Sequence, residues 1–404
     1  MSQTDVAEPI VDLPSQAALI RAAFEGADIT ALVQEQLNRL HEDVTNAGAY
    51  ITLGLLYQLM GQKENALACQ DAGLHYARLY RQPAPANALR LLTLVARGDL
   101  MTNTPVELML EGQAVEILRL YVDELGGVTE TIPSHDVALV AIGESDHTRA
   151  MLERLSGLAS RWPAPVLNDA AATLDLSRDR LWRKLAGIAG LVMPPTVRIS
   201  RVGLMMVARG ERPLADLLPG GVYPLIVRPV GSHAGQGLAR VEDGAQLAAY
   251  LDETRLQMAY VSRFIDYASA DGGYRKYRIA FIDGWPFLAH MAIGDHWMVH
   301  YLNAGMAESA AKRAEEAEAM ASFDKGFAAR HAAAFAEIHA RLGLDYFAID
   351  CAETPGGDLL LFEADVSMIV HALDSEALYP YKRPAMDKLF AAFCVMLREK
   401  AGRA

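Results

Sequence analysis

The stretch VYPLIVRPVGSHAGQGLARVED, Val222 to Asp243, restricts the fold more than any other part of the chain. Two apolar, strand-like runs flank Gly231-Ser232-His233-Ala234-Gly235-Gln236-Gly237. No Gly-Lys-Ser/Thr follows, so this is not a Walker A loop. The glycines are spaced GxxxGxG, and LARVED after them reads as another strand, so no helix N-terminus is offered to a pyrophosphate. The segment is expected to be a hairpin loop. Glycines let such a loop adopt positive φ and bring backbone N–H groups close to a ligand, and Ser232 adds a hydroxyl donor. Arg228, near the end of the first strand, would aim a guanidinium into the same space, suited to bidentate contact with phosphate oxygens.

A chain of 404 residues is long for one ordinary domain, and its 52% of hydrophobic residues can fill two or three cores. The formal net charge of −13 argues against nonspecific binding to nucleic acid or to an anionic membrane. An anionic ligand therefore needs its own cluster of Arg and Lys. The opening MSQTDVAEPIVDLPSQ has no basic stretch before an apolar run, and no segment is apolar for long enough to span a bilayer, so a cytoplasmic location is expected. Cys69, Cys351 and Cys394 are too scattered for a disulfide framework or a CxxC metal site and are expected to be inert thiols.

Residues 1–85 have helical periodicity. YITLGLLYQLMGQKENALACQDAGLHYA carries a Leu53-Gly54, Tyr57, Gly61, Ala66 pattern like one tetratricopeptide repeat, in which small residues let two antiparallel helices approach. Gln70 and Gly73 depart from that pattern, where an aromatic and an alanine are usual. The Pro-rich RQPAPANA marks a boundary, and residues 86–175 read as an α/β domain in which AVEILRLYVDEL and HDVALVAIGES are buried parallel strands. Residues 176–404 form the third expected domain, strand-rich from Tyr223, with Ala-rich helices between Ala307 and Leu342 and a final helix near Arg383 to Glu399.

In YFAIDCAETPGGDLLLFEADVSM, apolar runs around Pro355-Gly356-Gly357 predict an antiparallel hairpin. Glu363 and Asp365, at i and i+2, face the same way, and a hairpin register brings Asp350 beside Glu363. Three converging carboxylates repel unless cations sit among them, and Mg²⁺ takes such oxygens together with nucleotide phosphates. The plainer alternative is a solvated strand end. Upstream, DGGYRKYRIAFIDGWPFLAHMAIGDHWMVHYLNAG places Lys276 and Arg278 on one strand face and Arg275 on the other. Lys276 and Arg278 are candidate catalytic residues that would steady charge on a carboxylate or acyl phosphate. His290, His296 and His300 are weaker candidates in the same segment.

A basic residue before a Gly-rich hairpin loop, followed far downstream by Asp and then Glu-x-Asp, resembles the ATP-grasp superfamily, most closely the D-alanine-D-alanine ligases and ribosomal-protein glutamate ligases. The resemblance covers about Pro133 to Arg398 and implies an α+β ATP-grasp fold preceded by a small α/β domain, with the N-terminal all-α helical segment outside it. It implies that Arg180 in SRDRLWRKL and Arg228 hold ATP phosphates and that Gly231, Ser232, His233, Ala234, Gly235 and Gly237 close over them. Val261, in the adenine hinge MAYVSRFID, and Asp266, as the ribose acid, complete the nucleotide set. Asp350, Glu363 and Asp365 match the Mg²⁺ ligands. The sequence departs from the family in having Arg where both phosphate lysines are usual, and Asp365 where Asn is usual.

The activity so implied is an ATP-dependent ligase that turns a carboxylate into an acyl phosphate for attack by an amine or thiol, releasing ADP and phosphate. Phosphotransfer to a hydroxyl uses the same nucleotide half and is the alternative, and a nucleotide-binding scaffold with a helical docking module is a third reading. Small-molecule or peptide carboxylates and amines are the expected substrates. A protein or peptide partner at the N-terminal helices and a homodimer stay open.

Overall fold

The computed structural model describes residues 10–122, 132–232 and 235–402. The chain divides into two compact units, one of Met1–Leu174, Leu344–Phe347 and Asp365–Ala404, the other of Asp175–Gly343 and Ala348–Ala364.

The first unit is built on a six-stranded sheet. Its strands are β1 (Ile10–Asp12), β2 (Leu79–Gln82), β3 (Leu89–Val95), β4 (Val115–Tyr121), β5 (Val137–Val140) and β6 (Val166–Leu167), in the order β1-β2-β4-β3-β5-β6. β3 lies parallel between β4 and β5, as their near-continuous apolar sequences require of strands covered on both faces. Leu92, Leu94, Leu118, Ala138, Val140 and Leu152 form the core on one side.

The segment expected to be all helical also contributes β1 and β2, with β2 antiparallel to β4. The correction has a plain cause: Leu79 and Tyr80 are almost fully buried just before the Pro-rich break, and the Tyr80 hydroxyl donates to the carbonyls of Gly73 and Ala77.

The rest of that segment is helical, at Gln16–Phe24, Ile29–Glu42, Ala47–Leu59 and Lys63–Tyr76. The last two pack closely because their contact residues are small. A Cβ on Gly54 would meet Gln70 Cγ at 3.1 Å and the Ala66 carbonyl at 3.2 Å, and one on Gly73 would meet Ile51 at 3.1 Å. The departures from the repeat pattern have a local reason. Gln70 is buried and clasps Gly98, donating from Nε2 to its carbonyl (2.7 Å) and accepting from its N–H (3.0 Å).

The second unit holds two sheets. One has the order β10-β9-β11-β8, from β8 (Thr196–Ser200), β9 (Leu225–Pro229), β10 (Ala239–Val241) and β11 (Met258–Arg263), after the short β7 (Leu191–Val192). The helices Arg201–Ala208 and Gly244–Glu253 supply Leu204, Val207, Leu247 and Leu251 to its core. The other has the order β13-β12-β14-β15-β7, from β12 (Tyr274–Ile282), β13 (Trp285–Gly294), β14 (Tyr346–Glu353) and β15 (Leu359–Asp365). The expected hairpin is β14 and β15, closed by a turn in which Gly357 N–H donates to the Thr354 carbonyl at 2.9 Å and Gly357 takes φ +86°.

Candidate functional site

The Gly-rich segment is the hairpin loop its sequence predicts. β9 and β10 are antiparallel, with Val227 opposite Ala239 and Leu225 opposite Val241. Gly231, Gly235 and Gly237 all take positive φ, between +66° and +76°. At Gly237 space is also exhausted, since a Cβ would lie 2.8 Å from Pro229 Cγ. His233 and Ala234 lie outside the described residues.

Both ends of the loop are tied. Arg228 Nη2 donates to the Ser232 carbonyl at 2.6 Å, the Ser232 hydroxyl donates to the Pro229 carbonyl at 2.8 Å, and the Tyr250 hydroxyl donates to the Gly237 carbonyl at 2.7 Å.

Arg228 also faces Glu363, with Nη1 3.7 Å from Oε2. A second arginine, Arg178, pairs with the same Oε2 and donates from Nη1 to the Phe362 carbonyl at 3.0 Å. Sequence reasoning named Arg180 at this point. Arg178 opens the helix Arg178–Leu185, and Arg180 lies two positions further along it. The family-like Asp-basic pair draws attention to Arg180, and the sequence signal for Arg178 is only its place immediately after Ser177, which precedes the helix.

On the neighbouring strand, Asp350 is fully buried. Arg278 donates to it through Nε (2.8 Å) and Nη2 (3.0 Å), and Lys276 Nζ lies 2.6 Å from Oδ2. The i, i+2 spacing on β12 aims both cations at β14, while Arg275 turns the other way to Asp271 and Glu315. A register shift at Arg278/Ile279, with an extra residue on β13, marks the point where β12 passes from this charged face to a wholly buried run.

The charges form one field. Burial alone would raise the Asp350 pKa, but Arg278 and Lys276 outweigh it and hold the carboxyl well below the usual range. Burial likewise acts to raise Glu363, and Arg178 and Arg228 reverse it, leaving the carboxyl lowered. Arg228 pays the opposite cost: burial first, and Arg178 second, push it down to about 10. His300 is held below its ordinary value by burial and by Lys276 and Arg278, which keeps the imidazole neutral at pH 7. Four cations (Arg178, Arg228, Lys276, Arg278) thus meet two carboxylates (Asp350, Glu363), leaving two positive charges over among these six side chains. In a protein of net charge −13, that local excess of positive charge is the kind of environment that suits an anion.

The remaining candidates fall as follows. Val261 is fully buried at the centre of its sheet, opposite Val227 on one side and Val197 on the other, so its side chain belongs to the core. Asp266 is exposed and accepts from the Ala268 N–H at 3.0 Å. Asp365 ends β15 and belongs to the first unit, where its Oδ1 accepts from the Ser367 N–H (3.0 Å) and hydroxyl (3.1 Å). Among the described residues, no group of three or more His, Cys, Asp or Glu side chains gathers as a metal site. Asp350 and Glu363 are ionised oxygen donors on adjacent strands, and that donor type fits Mg²⁺ shared with phosphate oxygens. The His290 ring lies 4.5 Å from that of Tyr301, tilted by 47°, and His296 lies 5.2 Å from Trp297.

Within the second unit an open cavity of about 360 Å³ is lined by Arg240, Glu242, Tyr274, Asp295, His296 and Trp297. Arg240 lies over the Phe264 ring at 4.1 Å, and Trp297 meets that ring edge-on at 5.8 Å. Among the described residues no helix is long and apolar enough to cross a membrane.

No family model and no curated protein matches the sequence. Among solved structures, the chain is similar to a RimK domain protein ATP-grasp from Sphaerobacter thermophilus, at 16% identity and TM-score 0.44 over 76% of this chain and 99% of that one. It is similar to the D-alanine-D-alanine ligase from Bacillus anthracis complexed with ATP, at 15% identity and TM-score 0.44 over 78% and 98% of the two chains. It is also similar to the VanG D-Ala:D-Ser ligase from Enterococcus faecalis, at 14% identity and TM-score 0.47 over 78% and 99%.

Proposed function

We propose that the second unit is an ATP-grasp nucleotide site and that the chain is an ATP-dependent ligase, activating a carboxylate as an acyl phosphate for attack by an amine or thiol. The observation that carries this reading is the convergence of Arg178, Arg228, Lys276 and Arg278 on Asp350 and Glu363, beside a glycine hairpin whose Ser232 is tied to Arg228. Surface ion pairs would be exposed and matched in number; these are largely buried and carry excess positive charge.

In this reading Arg228 and Arg178 exchange Glu363 for phosphate oxygens, and the loop glycines leave their N–H groups clear to approach the same anion. Lys276 and Arg278 hold the charge that develops as the phosphoryl group passes to the carboxylate. Asp350 keeps those two cations in place before substrate enters. Asp350 and Glu363 would hold Mg²⁺ together with phosphate oxygens; when bound, the ion supplies positive charge that neutralises the triphosphate. Tyr274, Trp297 and Arg240 give the neighbouring cavity flat faces and a cation, which suit a purine base.

The test is calorimetric titration of the whole chain with a nonhydrolysable ATP analogue, with and without Mg²⁺, beside Glu363→Gln. Binding that depends on Mg²⁺ and Glu363 supports the reading and justifies a screen of carboxylates and amines for ADP release, in which product analysis separates ligation from phosphotransfer. Absence of binding under both conditions would overturn it.

A further inference from the structure

The two limbs of the glycine hairpin are held by bonds of different kinds. The first limb, at Ser232, is held by Arg228, a cation that also faces Glu363. The second, at Gly237, is held by Tyr250, whose hydroxyl donates to the Gly237 carbonyl. A tie made by a cation shared with a carboxylate changes when another anion arrives. A neutral phenol–carbonyl bond does not.

Local sequence puts Tyr250 in reach of the loop. Asp243 Oδ1 accepts from the Gln246 N–H at 2.8 Å, and Gln246 Oε1 accepts from the Glu242 N–H at 3.0 Å. These two bonds join the end of β10 to the first turn of the helix Gly244–Glu253. Leu247 and Leu251 are buried, and the Tyr250 ring packs against the same core while its hydroxyl reaches the loop. A ring with two side-chain torsions, seated in this way, is a stiff support. On its other side Gly237 has no free space, because a Cβ there would strike Pro229 of β9. The Leu238 N–H donates to the Gly235 carbonyl at 3.1 Å, so residues 235–238 form one turn, and the bond at Gly237 places it.

Glycine-rich backbone loses the most freedom when it is ordered. A turn placed by the fold spares an incoming anion that cost. We propose that Tyr250 is a positioning residue of the nucleotide site, holding the 235–238 turn where its backbone meets the phosphates and touching none of them itself. As phosphate draws on Arg228, the Ser232 limb is free to follow it, and the Tyr250 limb is the fixed end about which the hairpin adjusts. The proposal rests on the nucleotide reading of the second unit.

The experiment is Tyr250→Phe in the full chain, which deletes one hydroxyl and keeps the ring in the core. Calorimetric titration and stopped-flow mixing with a nonhydrolysable ATP analogue and Mg²⁺ give the affinity and its rates, and thermal melting reports the fold. The variant should melt within about 3 °C of the parent. It should bind the analogue about two- to tenfold more weakly, the value of one neutral hydrogen bond. The loss should appear as faster dissociation with association unchanged. Thr254→Val is the control: it removes the 2.8 Å bond from the Thr254 hydroxyl to the Tyr250 carbonyl and leaves the phenol in place, so it should bind as the parent does. Failure of the parent to bind would overturn the nucleotide reading and this proposal with it. Binding by the parent, with equal affinity and dissociation rate in Tyr250→Phe, would overturn this proposal alone. So would an equal loss in Thr254→Val, which would assign the effect to the helix and not to the hydroxyl.

Discussion

Replacing Arg228 with Met distinguishes a nucleotide site from a cluster of structural ion pairs. The guanidinium is pushed down from its ordinary value to about 10, by burial and then by Arg178. That difference is a cost of about 3 kcal/mol to the charged form. The side chain is only 15% exposed, so solvent screening removes little of it. Because the folded-state value lies below the unfolded one, the cost is fully present at neutral pH and is relieved only as pH rises through about 10.

Methionine removes the cost and also loses the two hydrogen bonds that the charged guanidinium gives Ser232, about 1.5 kcal/mol each. The two effects nearly cancel, and the ligand-free variant is expected to melt within about 2 °C of the parent. Its affinity for a nonhydrolysable ATP analogue should fall about tenfold or more, the value of one charge-assisted hydrogen bond. Thermal melting and calorimetric titration on the same preparation read both effects. A variant that melts several degrees lower yet binds the analogue as tightly as the parent would show Arg228 to be a structural partner of Glu363, and the reasoning would fail.

Glu363→Gln removes one of the two anions among four cations; the variant should melt lower, by about 3 kcal/mol or more, and lose Mg²⁺-dependent turnover, seen by ADP release. Asp350 is held well below the usual carboxylate range, so its stabilising contribution is complete above about pH 4 and is lost as pH falls below that value. Asp350→Asn should therefore melt lower at neutral pH and show a flatter acid limb in a melting series. Gly231→Ala and Gly237→Ala both place a side chain at positive φ, costing about 1–2 kcal/mol, but only at Gly237 does the new Cβ strike Pro229. Turnover should fall further in the second than in the first. Gly73→Ala should destabilise the helix pair by about 1–3 kcal/mol in urea unfolding, since the added carbon meets Ile51 and the Ala47 carbonyl oxygen.

The glycine hairpin was legible because its punctuation is local: positive-φ residues between two apolar runs admit few other solutions. The β14–β15 turn was legible for the same reason, through Pro355-Gly356-Gly357. The pairing of Lys276 and Arg278 with Asp350 was only half legible. Period-two alternation put the cations on one face, but nothing local says that β12 lies beside β14, since that neighbourhood joins residues about seventy positions apart. Arg178 was missed because it and Arg180 are two steps apart on one short helix, and the choice between them depends on where β15 passes. The buried Arg119–Glu107 pair left no sequence mark at all. An arginine within an apolar strand reads as an ordinary interruption until a helix 12 positions earlier delivers its carboxylate.

The strand β2 has a consequence for anyone shortening this protein. Leu79 to Gln82 pair along β4 from Leu120 to Ile117, and β1 in turn pairs with Leu79 to Arg81. Deleting the first 85 residues would strip both strands and uncover β4, whose sequence VEILRLY is apolar at most positions. A bare, apolar edge of this kind templates further strands and invites aggregation. The N-terminal helices are thus anchored by the sheet they help to close, and truncation would report on solubility before it reported on function. Point substitutions on the helix faces are the sound way to ask what those helices do.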